Sequence, residues 1–116
     1  MHPAAWESLH KATLELAKAS SIKQRLTDAY SRHLKDLTAA ELPGTVRSDF
    51  EALRLRMTEV PPLRGETAVA ATVRKMSIDE ADACAARIVC LLDALHREAG
   101  RSEGVSRIRA RGELAA

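Results

Sequence analysis

Aromatic residues are scarce in this chain, with one Trp, one Tyr and one Phe among 116 residues. Its core must therefore be aliphatic and Ala-rich, which suits closely packed helices and leaves little material for stacking single-stranded nucleic acid. Cysteine is almost as rare. Cys84 and Cys90 are six residues apart on one predicted helix, about 120° round it, so they cannot bridge there. They form no disulfide framework. No apolar run reaches the ~18 residues of a membrane span, and MHPAAWESLHK has no apolar signal core. A cytoplasmic protein with no membrane association is expected.

Charge of one sign is also missing: 18 basic and 16 acidic residues leave a net +2. From Gly100 onward, Arg101, Arg107, Arg109 and Arg111 outnumber Glu103 and Glu113, so the excess lies on the tail. A neutral body with a slightly basic tail is weak ground for a polyanionic partner. Phosphate-cradling Gly loops, CxxC pairs, G-x-S-x-G elbows and zinc-ligand spacings are lacking too. No catalytic, cofactor-binding or metal-ligating residue is assigned, and the expectation is a protein that is not an enzyme.

What is present is helical. Ser77-Ile78-Asp79-Glu80 is a capping box, in which the Ser oxygen accepts the Glu80 amide while the Glu side chain reaches back. It opens a stretch to about Ala99, followed by Gly100 as a stop. At about 100° per residue, Ala81, Cys84, Ala85, Ile88, Leu91, Leu92 and Leu95 share a face, with Val89 at its edge. Ala83, Ala86, Cys90 and Ala94 form a small-residue strip that interrupts the opposite, polar side.

Pro3 suits a helix start, and Trp6, Leu9, Ala12, Leu16 and Ala19 follow at helical spacing. Ser21-Ile22-Lys23-Gln24 reads as a second capping box, although one long bent helix through it is the alternative. Beyond it, Ile22, Leu26, Ala29, Tyr30, His33, Leu37 and Ala40 share a face, with Leu34 at its margin. Leu42-Pro43-Gly44 stops that segment, and Val46, Phe50, Leu53, Met57 and Val60 then step by four and three up to Pro61-Pro62. Leu63 to Met76 fits both an extended and a helical pattern; an extended loop docking Val69 and Val73 is favoured.

Three site chemistries can be weighed. Glu7/His10 and Asp93/His96 have the E-x-x-H or D-x-x-H spacing of di-metal bundles, but they fall beside or opposite their apolar stripes instead of pointing inward. His33 lies in an apolar stripe and reads as a core histidine; buried neutral, it would destabilise the fold when protonated near pH ~5–6. Residues 22–60 resemble a helix-turn-helix in outline, with Arg47, Arg54 and Arg56 on the second helix, yet Asp49, Glu51 and Glu59 cancel them.

The resulting expectation is an all-α protein: a small up-and-down four-helix bundle with helices at about 3–19, 22–41, 44–60 and 78–99. A long loop precedes the last helix, residues 1–100 form the domain, and 101–116 form a flexible, disordered basic tail. The expected role is a non-enzymatic interaction or regulatory protein. It would act through a helix surface on a protein partner or, as a homodimer, across Ala83, Ala86, Cys90 and Ala94. The alternative is a nucleic-acid-associated protein using 22–60 plus tail contacts from Arg101, Arg107, Arg109 and Arg111; a metal-dependent enzyme ranks third.

Overall fold

A computed structural model describes residues 3–115, with side chains from Ala4 to Gly100. Among these residues the fold is all-helical, with α1 at Pro3–Leu16, α2 at Ile22–Ala29, α3 at Gly44–Met57, α4 at Ala68–Lys75 and α5 at Ile78–Ala115. A π-helical turn, Tyr30–Leu34, extends α2, and a 3₁₀ turn, Ala39–Glu41, precedes α3. No helix among the described residues is long and apolar enough to cross a membrane.

The break between α1 and α2 is real, and two side chains make it. Arg25 donates to the Leu16 carbonyl at 2.7 Å, satisfying the open end of α1. Ser21 accepts the Gln24 amide at 3.2 Å at the start of α2. Only half of the predicted box forms, because the Gln24 side chain donates to Asp28 instead. Helix α1 thus stops at Leu16, and Ala19 lies exposed in the connection.

Two sequence expectations are overturned in the middle of the chain. Residues 68–75 form a helix, not an extended loop, so five α-helices replace the expected four. Thr67 starts α4 by accepting the Ala70 amide at 3.1 Å, and Gly65, at φ +83°, makes the preceding tight turn. Thr72, buried within α4, accepts the Val60 amide at 3.0 Å and fastens the chain leaving α3 to this helix.

The segment after Ala29 is not one regular helix to residue 41. Lys35 donates to the Tyr30 carbonyl at 2.9 Å, an i→i+5 bond that widens the turn. The wider turn keeps both Tyr30 and Leu34 buried in the core and leaves His33 at the edge.

Around α5 the reading of start and core face agrees with the structure. The Ser77 oxygen accepts the Glu80 amide at 3.0 Å, and Glu80 accepts the Ser77 amide at 2.9 Å. Ala81, Cys84, Ala85, Ile88, Leu91 and Leu95 are buried against α1, α2 and α3. The expected stop at Gly100 is not made. Only Gly65 has positive φ among the described residues, so Gly100 continues the helix to Ala115. Each Gly in a helix costs only about 1 kcal/mol, and no proline follows Gly100 to enforce an end. The side chains of Arg101, Arg107, Arg109 and Arg111, and with them the expected polyanion contacts, lie outside the described residues.

Candidate functional site

The line between α1 and α5 carries a partly open apolar groove, and its geometry follows from their antiparallel packing. Trp6 at the start of α1 stands with Leu92 and His96, whereas Leu16 at its end stands with Asp82 and Ala85. A groove of about 550 Å³ runs along Leu16, Ile22, Ala83, Ala85, Ala86 and Val89. It continues into a second hollow of about 260 Å³ lined by Trp6, Val89, Leu92, Asp93 and His96. Val89 belongs to both and is 44% exposed.

Each wall has a structural cause. The core face of α5 points about 100° or more away from Val89, so α1 and α2 cover Ile88 and Leu95 but leave Val89 bare. Trp6 is held against α1 by His10, whose ring stacks on it with centroids 4.8 Å apart. At one end, Arg25 and Asp82 border the groove; at the other, Asp93 and His96 do. Arg25 uses one nitrogen on the Leu16 carbonyl, and its Nε has no hydrogen-bond acceptor. Asp93 pairs with Arg97 at 2.9 Å along the helix surface.

The small-residue strip predicted from sequence is divided by the fold. Ala83 and Ala86 are exposed on the groove, Cys90 is exposed toward α3 beside Asp49 and Arg87, and Ala94 is half-buried against the core. Sequence reasoning missed Trp6, Leu16, Ile22 and Val89 as a shared surface, because the packing of α1 on α5 is a long-range fact. The exposed edge position of Val89 was the available signal.

A second cluster centres on Glu15, whose carboxylate is only 8% exposed. Lys18 Nζ lies 3.1 Å, His33 Nε2 3.2 Å and Arg32 3.5 Å from its Oε1. The hydrogen bond from Lys18, followed by that from His33, holds the Glu15 carboxyl below the usual carboxylate range. His33 is one-fifth exposed and faces a carboxylate, so it is a boundary residue and not the fully buried core histidine expected from its stripe. The adjoining cleft mixes Glu7, Lys11, Arg32, Asp36 and Glu41, charges of both signs with no net preference for one ligand class.

The remaining predicted chemistries find little support in position. Glu7 is exposed and His10 is engaged with Trp6, while Asp93 and His96 border the groove. Among the described residues no three His, Cys, Asp or Glu side chains converge on a point. On α3, Arg47 donates to the Ala39 and Leu42 carbonyls, Arg54 pairs with Glu51, and Arg56 joins Glu59 and Glu80. Each arginine of the helix-turn-helix reading thus has a partner within the chain. Burial raises the Cys84 thiol above its ordinary range, the opposite of what a reactive thiolate needs. No known protein family, curated protein or solved structure is significantly similar to this chain.

Proposed function

We propose that this chain is a non-enzymatic interaction protein that receives an amphipathic helix in the groove between α1 and α5. One observation carries the reading: the core closes over Ile88, Leu91 and Leu95, yet Val89, Leu92, Trp6 and Ile22 are left as a continuous, partly open apolar trough. Helix-in-groove recognition needs such a trough with polar ends to fix register. Charged residues at both ends of this one supply that second element.

The test is a photo-crosslinking residue, p-benzoylphenylalanine, placed at Val89 and, as a control, at Leu55. Leu55 is 66% exposed on α3, away from the groove. In the cells the protein comes from, irradiation should yield a protein adduct from position 89 and none from 55. No protein adduct from position 89 would remove this reading.

A further inference from the structure

Resting on that reading, we infer that the groove's occupant is helix α5 of a second copy of this chain, laid antiparallel about a twofold axis at Val89. The argument is one of register and charge. Asp82, Val89 and His96 are spaced by seven residues on α5, so they lie nearly in line on one face, the line drifting only about 20° per heptad. Val89 is the midpoint. An antiparallel copy centred there sets Asp82 of each chain opposite His96 of the other, and Ala85 and Ala86 opposite Asp93 and Leu92.

Both charged ends then meet their complements. The imidazole N–H of His96 can donate to the partner copy's Asp82 carboxylate. Arg25, which flanks Ala85 and Ala86 on the groove wall with one terminal nitrogen on the Leu16 carbonyl, faces the partner copy's Asp93. The existing Asp93–Arg97 contact is fully on the surface and yields at little cost. Between the ends, small Ala83, Ala85 and Ala86 allow close approach, with Val89 and Leu92 as the filling side chains. A parallel arrangement would set the Asp82 carboxylates against each other and take the His96 N–H away from its acceptor, so the antiparallel one is selected. The twofold axis makes the surface complementary to itself, as an isologous dimer requires.

Analytical ultracentrifugation of the purified full chain tests this. The expected species is a dimer of the 12.6 kDa chain. Val89→Lys should give a monomer, while Leu55→Lys should leave the dimer intact. Asp82→His alone and His96→Asp alone should each weaken association about tenfold, because symmetry counts each lost pair twice. The double variant, which exchanges the two residues, should recover wild-type affinity. A monomeric wild-type chain, a dimer indifferent to Val89→Lys, or a double variant no better than the singles would overturn the inference. The adduct at position 89 separates the two readings: twice the chain mass supports the second copy, whereas any other mass leaves the groove as a docking site and rejects this occupant.

Discussion

Glu15 is held almost out of solvent beside Lys18, Arg32 and His33, and that arrangement fixes how it should respond to acid. Its carboxyl is depressed in the folded state, chiefly by the Lys18 hydrogen bond and then by His33. A depressed carboxylate contributes stability above its unfolded pKa of about 4.3, and that contribution is lost as pH falls through the lower folded value. Glu15→Gln keeps the shape and removes the charge. Its urea midpoint should therefore fall below wild type at about pH 7, and the two midpoints should draw together at about pH 3. A gap that is the same at both values would mean Glu15 acts by packing alone. Ser8 and Lys11 share the cleft with His33, but His33 Nε2 is turned toward Glu15, so the residue braces α1 against the π turn.

Among the elements, the π turn has the clearest energetic signature. Were residues 22–41 a regular helix, Leu34 would sit at the margin of the apolar stripe and His33 within it. The i→i+5 bond from Lys35 to Tyr30 reverses their places, leaving Leu34 with no solvent exposure. Leu34→Ala should cost about 2–5 kcal/mol, the range of fully buried leucines. His33→Ala should cost clearly less, and chemical denaturation of the two variants decides between the arrangements. The same element shows what could be read from sequence. Helix starts carried by local chemistry, Ser21 with Gln24 and Ser77 with Glu80, were legible because donor and acceptor lie three residues apart. So was the α3 seam of Val46, Phe50, Leu53 and Met57. Helix α4 was not, since its eight residues suit either periodicity and its Thr67 cap gains meaning only once Thr72 reaches Val60. The π turn leaves no composition signal, and the groove depends on α1 and α5 meeting across some eighty residues of chain.

At the scale of the molecule, shape and proposed assembly are linked through α5. The chain measures 66 × 27 × 21 Å, with a radius of gyration of 17.1 Å. A compact chain of this length would have about 13 Å. The excess follows from a 38-residue helix, which at 1.5 Å per residue is about 57 Å long. Only its first half lies on the described core, from Ala81 to Leu95. Pairing through Val89 therefore covers the half that the bundle supports and sends the two C-terminal halves out at opposite ends. Burying Val89, Leu92 and Trp6 between copies makes folding and association a single linked equilibrium, so stability must depend on concentration. Raising the chain from about 1 to about 100 μM should lift the thermal midpoint by about 5–10 °C for a dimer that unfolds to monomers. Val89→Lys, which puts two like charges on the twofold axis, should show a midpoint that does not move over the same range. Differential scanning calorimetry at the two concentrations reads both, and a wild-type midpoint as constant as that of the variant would place the stability of α5 wholly within one chain.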